Sequence, residues 1–374
     1  MSIDLMKMPK LGFGLMRLPQ KDGDIDNEEV CRMVDAYMDS GMNYFDTAYI
    51  YHGGKSECAA KTALVERYPR ESFLLATKLP VWEVKCFEDR DRIFQEQLER
   101  AGVDYFDFYL LHSVEDGNIK VYEKFDCFDW GISKRADGRI RHFGFSFHGS
   151  PELLEKVLDE HPEIEFVQIQ LNYLDWENPV VCSGKLYEIL HRRNIPMIVM
   201  EPVKGGILAN LVPELEAHYK ALRPDASAAS WALRFVGSLS GVMTILSGMT
   251  HEDQMKDNID TFRSFEPLSE AESALVEKVR KTLMDVPQIG CTGCQYCIDG
   301  CPVNIAIPDV FRAVNTVKLY GEEFRPKAFY NGLVDAGLTA RASECLACGQ
   351  CESVCPQHLP IIKLIADAGK AFDA

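Results

Sequence analysis

Eight cysteines near the C-terminus form two runs of identical spacing. They are Cys291-x2-Cys294-x2-Cys297-x3-Cys301-Pro302 and Cys345-x2-Cys348-x2-Cys351-x3-Cys355-Pro356. Thiolates three residues apart on a tight loop can bind three irons of a [4Fe–4S] cube, and the fourth cysteine of such a run usually ligates the other cluster. We therefore expect two clusters with exchanged ligands: Cys291, Cys294, Cys297 and Cys355 around one, and Cys345, Cys348, Cys351 and Cys301 around the other.

Two other interpretations of these cysteines have less support. Structural zinc normally shows two CxxC pairs rather than two complete CxxCxxCxxxCP runs. Disulfides are the second alternative. The other five cysteines of the thirteen are scattered without ligand spacing. We interpret those five as reduced thiols and expect a reducing, cytoplasmic compartment.

A second group of reactive side chains lies in the first third of the chain. Asp46, Lys78 and His112 each stand at the end of a short apolar run, and Tyr51 follows the first of these runs. Any one of them has an ordinary explanation: a helix cap, a rim charge, a core histidine or a packing aromatic. Four ionisable residues at successive strand ends indicate a shared site, because such ends meet at one face of a parallel sheet.

Eight short apolar segments alternate with helix-period segments from residue 10 to about 250. The predicted strands are Lys10–Leu15, Asn43–Thr47, Phe73–Lys78, Phe106–His112, Ile140–Ser146, Phe166–Gln170, Pro196–Met200 and Val242–Ser247. Apolar strands alternating with helices indicate a parallel sheet buried on both faces, and eight such units fit an α/β fold of the (β/α)8 TIM-barrel type. A doubly wound open sheet is the alternative, but no strand is followed by G-x-G-x-x-G.

The junction between two domains is predicted at Val286-Pro287. We expect a barrel over residues 1–285 and a small, mainly α-helical ferredoxin-like domain with two clusters over residues 286–374. The helix-like segment Ile307–Leu319 lies between the two cysteine runs and favours the helical kind of two-cluster domain.

Several segments of the predicted barrel resemble the aldo-keto reductase family. They are Phe45-Asp46-Thr47-Ala48-Tyr49-Ile50-Tyr51, Gly54-Lys55-Ser56-Glu57, Ala76-Thr77-Lys78, Tyr109-Leu110-Leu111-His112, Gly144-Phe145-Ser146 and Val167-Gln168-Ile169-Gln170-Leu171-Asn172. The resemblance covers residues 8–262 in order and spacing. It implies an oxidoreductase that reduces a carbonyl, or oxidises an alcohol, on a small-molecule substrate with NAD(P)H.

The resemblance also implies a catalytic tetrad of Asp46, Tyr51, Lys78 and His112. A phenol has an ordinary pKa near 10, and Tyr51 can donate a proton to the developing alkoxide if a nearby cation lowers that value. Lys78 would supply the cation, Asp46 would hold Lys78 in place, and His112 would orient the carbonyl oxygen. Such positioned acid catalysis is typically worth about 10²–10⁴-fold in rate.

Cofactor contacts are implied for further residues of the barrel. The expected set is Ser146, Gln168 and Met200 at the nicotinamide, Lys204, Gly205 and Gly206 at the pyrophosphate, and Gly248, Gln254 and Asn258 at the adenosine end. Two residues depart from the family pattern beside the nicotinamide: Phe147 replaces an asparagine, and Met200 replaces a stacking aromatic. The usual basic residues for a 2′-phosphate are missing from the segment Met249-Thr250-His251, so the choice between NADPH and NADH stays open.

Three functions are compatible with clusters and a hydride site in one chain. In the first, the barrel is a nicotinamide-dependent carbonyl reductase and the cluster domain has a structural or assembly role. In the second, the barrel binds a flavin such as FMN, which receives electrons from an external ferredoxin through the clusters. In the third, the chain is an electron-transfer module with a non-catalytic barrel. A flavin can mediate because it exchanges both one and two electrons. The complete tetrad argues against the third function.

Composition excludes some partner classes. The formal net charge is −17, and an acidic surface repels phosphate backbones and anionic lipids. No apolar run reaches the length of a membrane span, and the N-terminal segment lacks the apolar stretch of a signal peptide. We therefore expect no nucleic-acid or membrane partner.

Overall fold

The fold is described from a computed structural model, for residues 4–179, 181–320 and 324–373. Ten strands are formed by these residues. They are β1 (Leu11–Gly14), β2 (Gln20–Lys21), β3 (Asp24–Ile25), β4 (Tyr44–Asp46), β5 (Leu74–Pro80), β6 (Phe106–Val114), β7 (Ile140–Phe147), β8 (Phe166–Gln170), β9 (Met197–Met200) and β10 (Val242–Ser247).

Eight of these strands close into a parallel barrel in the order β1-β10-β9-β8-β7-β6-β5-β4, and β2 and β3 form a separate antiparallel ribbon. The predicted TIM barrel is therefore confirmed. The predicted bounds of β8 and β10 are those observed, and the predicted bounds of the other six strands differ by one or two residues at one or both ends. The β2–β3 ribbon was not predicted, because two-residue strands carry too few side chains to show an alternating pattern.

The described residues also form fifteen α-helices. They are α1 (Asn27–Asp39), α2 (Ser56–Ala60), α3 (Phe87–Ala101), α4 (Ile119–Lys124), α5 (Cys127–Ala136), α6 (Pro151–Glu160), α7 (Ser183–Arg192), α8 (Pro213–Leu222), α9 (Ala228–Gly237), α10 (Glu252–Arg263), α11 (Glu270–Met284), α12 (Ile307–Tyr320), α13 (Phe324–Asp335), α14 (Gln350–Ser353) and α15 (Ile361–Phe372). None of the helices in the described part of the chain is long and apolar enough to cross a membrane.

Local sequence signals explain where helices α1 and α6 begin. The side chain of Asp26 accepts a hydrogen bond from the N–H of Glu29 (3.1 Å), which caps α1. Ser150 caps α6 in the same way through the N–H of Leu153, and Pro151 occupies the first helical position. These caps satisfy N–H groups that have no partner inside the helix.

The barrel interior is filled by large apolar side chains from alternate strands. Tyr44, Phe108 and Phe166 are buried there, with the rings of Tyr44 and Phe108 in edge-to-face contact at 5.1 Å and those of Phe108 and Phe166 at 5.3 Å. The tight filling leaves the reactive side chains at the carboxyl ends of the strands as the chemically distinctive part of the barrel.

The chain divides into two compact units. The first comprises residues 1–202 and 229–269 and contains the barrel; the second comprises residues 203–228 and 270–374. The second unit therefore includes α8 and α11, which lie before the boundary that we predict at residues 285/286. That boundary stays a prediction of where the two sequence domains meet.

The second unit is mainly α-helical, as predicted. Its core is formed by residues of α12, α13 and α15, including Val310, Phe311, Tyr330 and Ile365. Asn315 accepts a hydrogen bond from the N–H of Ile289 (2.7 Å) and donates one to its carbonyl oxygen (2.8 Å). This pair of bonds fastens the segment that leads into the first cysteine run to α12.

Candidate functional site

The four predicted tetrad residues lie together in the first unit. Asp46 ends β4, Lys78 lies in β5 and His112 in β6, and these three strands are consecutive neighbours in the barrel. Tyr51 begins a short 3-10 turn after β4. Because neighbouring parallel strands end at the same face, residues far apart in sequence meet there.

Lys78 and Asp46 form a buried ion pair. The Nζ atom of Lys78 donates to Oδ1 of Asp46 (2.5 Å) and to the carbonyl oxygen of Thr47 (2.8 Å), and the two side chains are 0% and 3% exposed. Burial lowers the pKa of Lys78 and raises the pKa of Asp46, while their mutual attraction opposes both shifts. Lys78 is therefore not a rim charge.

Tyr51 has both the cation and the imidazole as neighbours. The Nζ atom of Lys78 lies 5.1 Å from the centre of the Tyr51 ring, and the ring of His112 stands edge-on to it at 5.9 Å. The tyrosine is mostly buried, with 8% of its surface exposed. The phenol therefore lies between a buried ammonium group and a buried imidazole.

His112 is held as a neutral imidazole at pH 7. Burial lowers its pKa well below the ordinary value, and the charges of Lys78 and His148 act in the same direction. Its Nδ1 atom is buried without a hydrogen-bond partner in the described structure. The ring of Trp82, which is 43% exposed, lies 5.2 Å from the His112 ring and offers an apolar wall beside it.

Glu57 joins this site although our sequence reasoning gave it no role. Thr77 Oγ1 and Gln97 Nε2 donate to Glu57 Oε1 (2.6 and 2.9 Å), and Gln97 Nε2 also donates to the carbonyl oxygen of Lys78 (2.9 Å). Burial raises the pKa of Glu57 to about 7. The sequence signal for Glu57 was its place in the Gly54–Glu57 segment. Its burial could not be predicted from that segment, because it depends on contact with Gln97 of α3.

Three residues predicted for the nicotinamide lie on adjacent strands. Ser146 of β7 is paired in register with Gln168 of β8, and Gln168 Nε2 donates to Sδ of Met200 at 3.4 Å. The hydroxyl of Ser146 accepts the N–H of Ser113 (2.7 Å). Gln168 Oε1 is buried without a hydrogen-bond partner in the described residues. An orphaned buried acceptor fits a carboxamide N–H donor, so these side chains fit the predicted group.

The residues predicted for the adenosine end form a second cluster in the same unit. Asn258 donates to Ser247 (2.8 Å), and Gln254 accepts the N–H of Thr250 (2.8 Å). A Cβ built on Gly248 would lie 3.0 Å from Cδ of Arg17.

Arg17 is the residue that sequence reasoning missed at this end. It follows β1, and its guanidinium is 3.4 Å from Oε1 of Glu201. Although the segment Met249–His251 carries no Lys or Arg, Arg17 supplies a basic side chain beside Gly248. The signal in the sequence was the position of Arg17 just after the first strand.

Lys204, Gly205 and Gly206, the predicted pyrophosphate residues, belong to the second unit. They begin a short 3-10 segment in which all three have positive φ angles of 48°, 63° and 98°. Glycine adopts this conformation without the steric cost that a Cβ imposes.

The eight cysteines of the two runs line two cavities in the second unit. Cys291, Cys294, Cys297 and Cys355 line a cavity of about 320 Å³, and Cys301, Cys345, Cys348 and Cys351 line another of about 370 Å³, open solvent included. The structure therefore groups the fourth cysteine of each run with the first three of the other.

The surroundings of these thiols fit a cluster. Backbone N–H groups of Gly293 and Ile305 donate to the sulfurs of Cys291 (3.4 Å) and Cys301 (3.3 Å), a type of bond that tunes cluster potentials. None of the thirteen cysteines is in a disulfide. Across the described residues, no three His, Cys, Asp or Glu side chains are grouped closely enough for a single metal ion.

Sequence models of two known families match the chain. The aldo/keto reductase family matches residues 10–281, and a 4Fe-4S dicluster domain matches residues 290–359.

Individual proteins resemble the first of these regions. An aldo-keto reductase of Mycobacterium avium is 26% identical over 262 residues, which is 69% of this chain and 82% of that protein. An NADH-specific methylglyoxal reductase of Escherichia coli is 26% identical over 328 residues, with 74% and 96% covered. A solved aldo/keto reductase of Klebsiella pneumoniae, in complex with NADP and acetate, has a TM-score of 0.58 at 20% identity, covering 73% of this chain and 92% of that one.

Proposed function

Because this chain belongs to the aldo/keto reductase family and carries a 4Fe-4S dicluster domain, we propose that it is an oxidoreductase that interconverts a carbonyl and an alcohol with NAD(P)H. The buried Lys78–Asp46 pair beside Tyr51 carries this proposal. The substrate is a small molecule. Because the Escherichia coli relative is named a methylglyoxal reductase, the first compound to test is methylglyoxal, in which an aldehyde and a ketone group are adjacent.

Ser146 and Gln168 would hold the nicotinamide carboxamide. Met200, on the neighbouring strand β9, would also contact the nicotinamide. Lys204, Gly205 and Gly206 would contact the pyrophosphate, and Gly248, Gln254 and Asn258 the adenosine end. Arg17 beside Gly248 is added to that last group, because its guanidinium can pair with phosphate. When bound, reduced nicotinamide supplies a hydride to a carbonyl carbon.

Tyr51 donates the proton that the carbonyl oxygen needs as negative charge develops on it. Lys78 stabilises the negative charge left on the phenol oxygen, and Asp46 with the carbonyl of Thr47 keeps the ammonium group in place. The neutral His112 hydrogen-bonds and orients the substrate oxygen. Trp82 covers the substrate from the solvent side of His112. In the alcohol-oxidising direction, Tyr51 takes the proton back.

We propose that the two cysteine-lined cavities hold [4Fe–4S] clusters with the exchanged ligand sets predicted above. The cavity linings and the N–H donors to sulfur support this assignment. Such clusters exchange single electrons, which an external redox partner such as a ferredoxin would supply or accept. Oxygen-sensitive clusters also support our expectation of a reducing cytoplasmic compartment. The comparisons offer no support for the flavin alternative.

A spectrum of anaerobically purified protein tests the proposal. After removal of the clusters, we expect a colourless protein that binds NADPH or NADH, detected by the change in nicotinamide fluorescence. Flavin absorption in the stripped protein, or the absence of nicotinamide binding before stripping, would contradict it. Iron analysis of the untreated protein tests the cluster assignment separately, with about eight irons per chain expected for two four-iron cubes.

A further inference from the structure

The predicted pyrophosphate loop touches the first cysteine loop. A Cβ built on Gly205 would lie 2.6 Å from the carbonyl oxygen of Thr292 and 2.7 Å from its Cα atom. Thr292 is buried and stands between Cys291 and Cys294. Both loops belong to the second unit, and their backbones are in direct contact because Gly205 has no side chain.

Lys204 places an ammonium group beside the same cysteine loop. Its side chain is buried, and Nζ lies 3.8 Å from the position that a Cβ on Gly290 would occupy. Gly290 directly precedes Cys291. Lys204 itself has a φ of 48°, which is unusual for a residue with a side chain and is found where the surrounding structure demands it.

We propose that the loop Lys204–Gly206 couples the binding of a phosphate-bearing cofactor to the reduction potential of the cluster at Cys291, Cys294, Cys297 and Cys355. This inference rests on the proposed function, since it needs both a bound cofactor and a bound cluster. It adds a connection between them, which neither the hydride site nor the cysteine runs require.

The sign of the coupling follows from the charges. Reduction adds one electron, and hence one negative charge, to the cluster, so a nearby ammonium group stabilises the reduced form and raises the reduction potential. A diphosphate bound at Lys204 would offset that positive charge and lower the potential. The burial of Lys204 limits screening by salt and keeps the effect strong.

Linkage requires the reverse effect as well. Because cofactor binding lowers the reduction potential of the cluster, reduction of the cluster must weaken cofactor binding by the same free energy. Each tenfold difference in affinity between oxidised and reduced protein corresponds to about 59 mV for a one-electron couple. The structure thus gives the cluster a means of responding to whether the cofactor site is filled.

Redox titration of the full-length, anaerobic protein, followed by electron paramagnetic resonance, tests the inference. The probe is ADP-ribose, with and without a 2′-phosphate, because it carries the diphosphate and cannot transfer a hydride. We expect bound ADP-ribose to lower one of the two cluster potentials and to change the other less. Lys204→Gln should lower the same potential without ligand and remove the further shift, whereas Lys204→Arg should keep wild-type behaviour.

The outcomes separate this inference from the proposed function. ADP-ribose that binds, shown by calorimetry, but leaves both potentials unchanged would overturn the coupling alone. Equal shifts in Lys204→Gln and Lys204→Arg would also overturn it, because they would show that the side chain acts through packing and not through charge. Absence of ADP-ribose binding, or of iron, would overturn the coupling together with the corresponding part of the proposed function.

Discussion

The Nζ atom of Lys78 lies 2.5 Å from Oδ1 of Asp46 and 5.1 Å from the centre of the Tyr51 ring. A single buried ammonium group is therefore shared between a carboxylate that holds it and a phenol whose negative charge it can stabilise. In the proposed mechanism this relationship gives each residue its own role: Tyr51 transfers the proton, Lys78 stabilises charge, and Asp46 positions Lys78.

Tyr51→Phe should remove the proposed proton donor and leave the cofactor site intact. We expect carbonyl reduction to fall by about 10²–10⁴-fold or more, the usual range for positioned acid catalysis, with the dissociation constant for NADPH nearly unchanged. Nicotinamide oxidation in the presence of a carbonyl panel measures the first quantity, and fluorescence titration measures the second. Turnover like that of the wild type would remove Tyr51 from the mechanism.

Lys78→Met should destabilise the barrel because it leaves the Asp46 carboxylate buried without its cation. Breaking a buried pair in this way costs about 3–5 kcal/mol, which lowers the thermal unfolding midpoint by roughly 10 °C in a unit of this size.

The double variant Asp46→Leu/Lys78→Met is the matched control for that substitution. Replacement of both charges by apolar groups should recover much of the stability, and activity should stay lost in both variants. Equal destabilisation of the single and double variants, measured by circular dichroism, would argue that the ion pair is not the cause.

Glu57 should make stability depend on pH. Burial raises its pKa from 4.5 to about 7, so between these values the folded chain keeps a proton that the unfolded chain has lost. Stability therefore falls as pH rises through this range, by up to about 1.4 kcal/mol per pH unit from this group. The unfolding midpoint of Glu57→Gln, relative to wild type, should rise from pH 5 to pH 7.

Glu71→Gln is the control for the pH experiment, because Glu71 is an exposed carboxylate. Its unfolding midpoint relative to wild type should change little over the same range. A flat difference between wild type and Glu57→Gln would mean that Glu57 is ionised in the folded chain across this range.

Gly205→Ala should disturb the first cysteine loop more than Gly206→Ala does. Both glycines have positive φ angles, so both substitutions bring strain of about 1–2 kcal/mol. Only a Cβ on Gly205 would meet the backbone of Thr292, at 2.6 Å, whereas the nearest atom to a Cβ on Gly206 is 3.6 Å away. We expect less bound iron per chain in Gly205→Ala; equal iron content in the two variants would argue against the contact.

The parts of this protein that follow local patterns could be predicted from the sequence. Apolar strands of the barrel and the cysteine runs are repeated signals. The grouping of Asp46, Lys78 and His112 follows from their positions at or near strand ends, and the tetrad assignment follows from the family resemblance. The contacts of Arg17 with Gly248 and of Gly205 with Thr292 could not be predicted, because each joins segments far apart in sequence whose approach depends on packing. The burial of Glu57 has the same origin, since Gln97 comes from a distant helix.

Transfer of deuterium from the cofactor to the product tests the central claim most directly. The wild-type protein is incubated anaerobically with NADPH or NADH deuterated at the transferred position of the ring, together with methylglyoxal or another small carbonyl, and the alcohol is analysed by mass spectrometry. We predict one deuterium on the former carbonyl carbon of the product. Alcohol formed without deuterium would contradict direct hydride transfer at the Tyr51 site.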